Sequence, residues 1–167
     1  MIIKKASFNQ LQEIFEIFQQ CKQALNNENV FQWTDNYPTL DIIFQDIANS
    51  HLYGLYQQDE CIGAIVLNSI QSPQYNAILW KDTNGKVLTI HRLAIKPIYQ
   101  NRGYAKKLMS FAEKYALRNQ FTSIRLDTYS ANKASVKLYE QRGYEKRGEV
   151  SFPERDLPFI CFEKNFN

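Results

Sequence analysis

A chain of 167 residues with a hydrophobic share of 44% suits one compact domain spanning residues 1–167 with an ample core. Its 20 basic and 17 acidic residues leave a net charge of only +3, which argues against a nucleic-acid-binding protein. With no long uncharged apolar run, no membrane span or membrane partner is expected. In chain order, residues 2–5 read as a short strand. Ser7 is placed to cap a helix to about residue 25, with Leu11, Ile14, Phe15, Phe18, Cys21 and Leu25 at helical spacing. Residues 31–38, "FQWTDNYP", form a turn-rich aromatic loop. Thr39 opens a second helix to about residue 49, with Ile42, Ile43, Phe44 and Ile47 as its apolar residues. Residues 51–56 and 61–67 flank a short polar connection and read as a hairpin. A polar stretch holding Pro73 and an Asn84-Gly85 turn lead to a longer strand over 86–95. A basic helix over 102–119, a strand over 121–128, and a short helix over 132–142 ended by Gly143 follow. Strands over 144–150 and 159–163 close the chain. This alternation argues an α/β or α+β sheet flanked by helices.

The junction between the 86–95 strand and the basic helix carries the first chemical signal. Gln100-Asn101-Arg102-Gly103-Tyr104-Ala105 stands at a helix start, where backbone N–H groups lack intrahelical acceptors and the dipole is positive. Gly103 lets a ligand approach the backbone, and Lys96, Arg102, Lys106 and Lys107 add positive charge. Such a loop suits a phosphate, although a tight turn with solvated lysines would look the same. Neither GxGxxG nor GxxxxGK[ST] occurs, so a dinucleotide fold and a P-loop are both excluded.

With the strand "IHRLAI" before it, Gln100-x-x-Gly103-x-Ala105 resembles the acetyl-CoA loop of the GNAT superfamily of N-acetyltransferases. Asn132-Lys133-Ala134-Ser135-Val136-Lys137-Leu138-Tyr139-Glu140-Gln141-Arg142-Gly143-Tyr144 is similar to that family's N-x-x-A-x-x-L-Y-x-x-x-G-F segment. Ser135 and Tyr144 are mild departures from it. The two motifs stand one helix and one strand apart, as in the family, and the resemblance covers residues 87–144. It implies a central twisted sheet, mixed but mostly antiparallel, of six to seven strands flanked by about four helices. The implied cofactor is acetyl-CoA, and no metal is called for.

The resemblance also assigns residues. The coenzyme pyrophosphate is expected on the backbone of Asn101, Arg102, Gly103, Tyr104 and Ala105, with Gln100 opening the motif. Leu93, Ala94 and Ile95 are expected to offer backbone groups to the pantetheine arm, which is amide-bearing and can mimic a neighbouring strand. Asn132 is expected to touch the coenzyme arm as well as cap its helix, and Lys133 to meet the adenosine phosphates. Tyr139 is the expected general acid, donating to the thiolate that leaves; a packed core aromatic is the competing reading. For the base two positions stand open. His91 has a suitable intrinsic pKa, and Asp127 would need a raised one; bulk water is the third option. A strand N–H such as that of Ala94 is expected to meet negative charge developing on the carbonyl oxygen.

The acceptor is less legible. Trp33, Asp35 and Tyr37 fall where this fold builds its acceptor wall, and an aromatic with a carboxylate suits a cationic amine. A buried anchor at Trp33 with a solvated Asp35 fits equally. The expected reaction is transfer of an acetyl group to a primary amine of a small molecule, by direct attack in a ternary complex. A protein N-terminus or lysine is the alternative acceptor, and a non-catalytic acyl-CoA-binding regulatory module is the reading from another class. Three cysteines without CxxC spacing, and a start lacking the apolar stretch of a signal peptide, lead to a cytoplasmic expectation. A monomer and a homodimer stay open.

Overall fold

The computed structural model describes residues 1–167. Seven strands form one sheet: β1 Ile2–Lys5, β2 Leu52–Gln57, β3 Glu60–Asn68, β4 Val87–Ile95, β5 Ser123–Tyr129, β6 Glu145–Val150 and β7 Phe159–Asn165, in the order β1-β2-β3-β4-β5-β7-β6. The helices are α1 Leu11–Asn27, α2 Leu40–Ala48, α3 Tyr104–Arg118 and α4 Lys133–Gln141. Pairs β1/β2, β2/β3, β5/β7 and β6/β7 are antiparallel, while β4 and β5 run parallel over Val87–Thr89 and Ser123–Arg125. The mixed, mostly antiparallel sheet and four helices match the expectation. No helix is long and apolar enough to cross a membrane.

The chain organises into two compact units: Met1–Leu67 with His91–Ala112, and Asn68–Ile90 with Glu113–Asn167. In the first, α1 and α2 bury Ile14, Ile17, Phe18, Cys21, Ile43 and Ile47 with Leu52, Tyr56, Ala64, Val66 and Ala94 of the strands. The first turn of the leading helix is a tight 3-10 turn over Phe8–Gln10, and Gln10 Oε1 accepts from the Ser7 N–H at 3.1 Å. Thr39 caps α2 as expected, accepting from the Ile42 N–H at 3.3 Å. α3 begins at Tyr104, not at Arg102. Asn101 (φ 61°) and Gly103 (φ 82°) take left-handed conformations that a helix cannot include.

The second unit buries Leu88, Ile90, Ile124, Leu126, Tyr129, Phe159, Cys161 and Phe162. β5 starts at Ser123 because the Phe121 N–H is spent on the Ala116 carbonyl (2.9 Å), closing α3. Glu163 is wholly buried, yet its carboxylate is met on several sides. It accepts from the Lys81 N–H (2.8 Å), the Asp82 N–H (3.1 Å) and Arg147 Nε (3.0 Å), with Arg125 Nε at 3.7 Å. This ties the segment before β4 to the sheet.

Candidate active site

The first unit carries the β4–α3 loop. Gly103 takes φ 82°, and a Cβ built on it would meet nothing within 4 Å. The position therefore needs glycine for its backbone conformation and leaves open space at the loop. The Lys107 N–H donates to the Gly103 carbonyl at 3.2 Å, joining the loop to α3. The N–H groups just before Lys107 belong to the helix start, which has no intrahelical acceptors to offer them. Arg102 lies over the Tyr99 ring at 5.6 Å and Lys107 over the Tyr104 ring at 5.9 Å. An open loop, helix-start donors and nearby cations fit an anionic diphosphate.

Gln100 has a different task from its neighbours. Its N–H donates to the Pro97 carbonyl (3.1 Å), and its Nε2 turns back to the Ile95 carbonyl (2.9 Å), which also accepts from Cys21 Sγ at 3.1 Å. Gln100 therefore shapes the loop through its own framework. In β4, Ala94 and Ile95 are buried, and His91, Arg92 and Leu93 are partly buried. Arg92 sits at φ 42°, a left-handed residue inside the strand. Its guanidinium is held in a fork: Nε to Asp46 Oδ2 at 2.8 Å, Nη2 to Asp46 Oδ1 at 2.6 Å, and Nη1 to the Tyr37 hydroxyl at 2.6 Å. Burial pushes the Asp46 carboxyl above its ordinary pKa, and the Arg92 charge opposes that rise.

In the acceptor loop the second of the two readings is the one seen, with Trp33 as a buried anchor and Asp35 at the surface. Trp33 is buried, with its ring edge-on to Phe18 at 5.4 Å. Its indole fills the core, because a loop this aromatic anchors itself on α1 instead of lining a surface. Asp35 is almost fully exposed and pairs with Lys22 at 2.7 Å, which lowers its carboxyl pKa. Tyr37 is engaged by Arg92. The aromatic-plus-carboxylate pair sought in this loop is not assembled there.

Such a pair stands in the second unit. The Tyr75 hydroxyl donates to Asp127 Oδ2 at 2.5 Å. Burial pushes the Asp127 carboxyl up to about 6, against opposing effects of the Tyr75 hydrogen bond and the Arg155 charge. Arg125, two residues earlier on the same strand, is directed to Glu163 at 3.7 Å. Tyr139 on α4 is buried, with its ring 5.7 Å from Phe162 and 6.0 Å from Tyr144. Burial first, and then the Asp127 charge, hold its phenol above the ordinary range, so it is protonated at neutral pH. Asn132 caps α4, accepting from the Ser135 N–H at 3.2 Å, and Lys133 Nζ donates to the Ser130 carbonyl at 2.9 Å.

The sequence model of the Acetyltransferase (GNAT) family matches residues 11–144. The chain belongs to this family. It is an N-acetyltransferase, and its acyl donor is acetyl-CoA. Over 139 residues, 83% of this chain and 71% of the relative, it is 27% identical to the streptothricin acetyltransferase of Escherichia coli. It is 24% identical over 146 residues to an uncharacterized N-acetyltransferase, YesJ, of Bacillus subtilis strain 168, covering 86% of this chain and 81% of that one. The fold is also that of the PaiA N-acetyltransferase of Thermoplasma acidophilum, solved in complex with coenzyme A (TM-score 0.74, 20% identity, 99% and 98% of the two chains covered). A GNAT acetyltransferase of Streptococcus agalactiae 2603 superposes with TM-score 0.81 at 20% identity, over 99% and 95% of the chains.

Sequence reasoning missed Tyr75, Asp46 and the role of Arg92. Tyr75 lies in a polar stretch without periodicity, 52 residues from the carboxylate it meets. A buried Asp in a helix whose neighbours are isoleucines was the one available hint of a hidden cation.

Proposed function

We propose that this acetyltransferase acetylates a primary amine of a small molecule by direct attack, with Asp127 as base and Tyr139 as acid. The observation that carries the reading is Asp127, a partly buried carboxylate whose pKa of about 6 suits it to accept a proton near neutral pH. No covalent acyl-cysteine step is invoked. Burial pushes Cys21, Cys61 and Cys161 up to about 12, 11 and 12, so none is a ready thiolate. Acetyl-CoA supplies a thioester carbonyl and a thiol leaving group. Asn101 to Ala105 bind its pyrophosphate through backbone N–H groups, Leu93 to Ile95 its pantetheine arm, and Asn132 and Lys133 assist. Asp127 takes a proton from the amine as the N–C bond forms and the C–S bond breaks.

Tyr139 then hydrogen-bonds to the departing sulfur. A thiol pKa near 8.5 lies below that of a buried phenol, so Tyr139 acts first as a donor and gives up its proton only incompletely. Protonation of Asp127 removes the negative charge that raises the phenol, and so strengthens the donor when it is needed. The small-molecule acceptor is supported by the streptothricin acetyltransferase relative. Three buried, unpaired thiols suit a reducing compartment, and the cytoplasm is the proposed location.

The test is free-thiol release from acetyl-CoA with streptothricin, a panel of small amines, and peptides bearing a free N-terminus or lysine. Turnover confined to the peptides would overturn the small-molecule reading. A pH–rate limb lost in His91→Ala but kept in Asp127→Asn would move the base to His91.

A further inference from the structure

We propose that Tyr75 is a positioning residue for this reaction: its hydroxyl holds one oxygen of Asp127, fixing the carboxylate's orientation and leaving the other oxygen for the acceptor amine. The inference rests on Asp127 being the base and goes beyond it by naming what aims and tunes that base.

Tyr75 lies in the 3-10 turn Pro73–Ala77, outside the sheet, yet it is only 3% exposed. Its place is secured by Trp80. Its ring lies 5.1 Å from that of Trp80, and Trp80 Nε1 donates to the Tyr75 carbonyl at 3.0 Å. The Arg125 guanidinium covers Trp80 at 4.3 Å, and the next two residues, Lys81 and Asp82, are bound through their N–H groups to buried Glu163. A segment held at this many points delivers one hydroxyl to one carboxylate.

That pairing is poorly explained by stability. A phenylalanine would fill the same space without a polar group to bury. A buried polar pair commonly gives no more stability than an apolar pair of the same shape. The chemistry accounts for it better. An ionised carboxylate has about four acceptor sites, and a single phenol donor at Oδ2 leaves most of them available. A proton acceptor also has to be held close to its productive geometry.

The groups facing Asp127 from the surrounding elements are few. They are Tyr75 from the turn, Arg155 from the β6–β7 connection, Tyr139 from α4, and Cys161, its cross-strand partner on β7. Tyr139 and Cys161 are neutral near pH 7, so Tyr75 and Arg155 favour the ionised carboxylate against burial. Removing the Tyr75 hydroxyl therefore moves the Asp127 titration upward.

The experiment compares wild type, Tyr75→Phe, Asp127→Asn and the double variant in the full chain. Carboxyl ¹³C resonances of labelled aspartate, with Asp127 assigned by its loss in Asp127→Asn, report the titration without turnover. The Asp127 midpoint in Tyr75→Phe should rise by about one unit, as expected for loss of one hydrogen bond to a charged group. The ascending limb of kcat/KM should move by the same amount. Activity should then fall about tenfold below the limb and recover at alkaline pH, with coenzyme Kd unchanged. In the Asp127→Asn background, Tyr75→Phe should change nothing further, whereas a merely structural role would persist there. An Asp127 titration unmoved by Tyr75→Phe overturns the proposal whatever turnover shows. A limb kept in Asp127→Asn overturns the base assignment and this proposal with it, while a limb lost in Asp127→Asn but untouched in Tyr75→Phe overturns the role of Tyr75 alone.

Discussion

If Asp127 is ionised in a site that resists ionisation, it must destabilise the fold at working pH. Its carboxyl stands at about 6 in the folded protein against an ordinary value of 3.8. Below 3.8 the group is protonated in both the folded and unfolded states and contributes nothing. Between 3.8 and about 6 the folded state binds more of the proton, so stability falls as pH rises. Above about 6 both states are ionised and the whole penalty is present. At 1.36 kcal/mol per unit it amounts to roughly 3 kcal/mol. Asp127→Asn keeps the shape and can still accept from Tyr75, but carries no charge. Thermal unfolding of both proteins should place the variant above wild type at pH 7.5 by on the order of 6–12 °C, with the gap closing toward pH 4. Catalysis should be lost in the same variant. A gap that does not change with pH, or a variant less stable than wild type at pH 7.5, would refute the claim that burial raises this carboxylate.

Three further outcomes are expected. Gly103→Val must force a β-branched residue into φ 82° beside the open loop, and calorimetry should show coenzyme Kd raised at least tenfold, about 1.4 kcal/mol, with an unchanged circular dichroism spectrum. Tyr139→Phe keeps the ring against Phe162 and Tyr144; kcat should fall roughly 10- to 1000-fold with coenzyme Kd shifted less than about threefold, and equal losses in both would make Tyr139 a coenzyme-holding residue instead. Asp46→Ala leaves the Arg92 guanidinium buried without its carboxylate. Denaturant unfolding should show a loss of about 3–5 kcal/mol, whereas Asp35→Ala, at an exposed pair, should leave the unfolding midpoint nearly unchanged.

What could be read before folding was whatever chemistry is local along the chain. Periodicity placed α1 and α2, because an amphipathic helix repeats its apolar residues within one stretch. Gly103 and Asn132 announced a loop and a cap, since backbone conformation and capping depend on a residue and its near neighbours; φ 82° and the Ser135 N–H bond follow from that. The motif pair around them was legible for the same reason. Local pattern failed where a side chain's meaning depends on distant partners. Trp33 fitted a site residue and a buried anchor alike, and only its edge-on contact with Phe18 in the core decides for the anchor. Asp127 stood beside His91 and bulk water as one of three candidates for the base, and only the fold brings Tyr75, 52 residues away, to its Oδ2. A sequence determines which residues can carry charge. How strongly each one holds its proton depends on desolvation and on neighbours tens of residues away, and those exist only once the chain has folded.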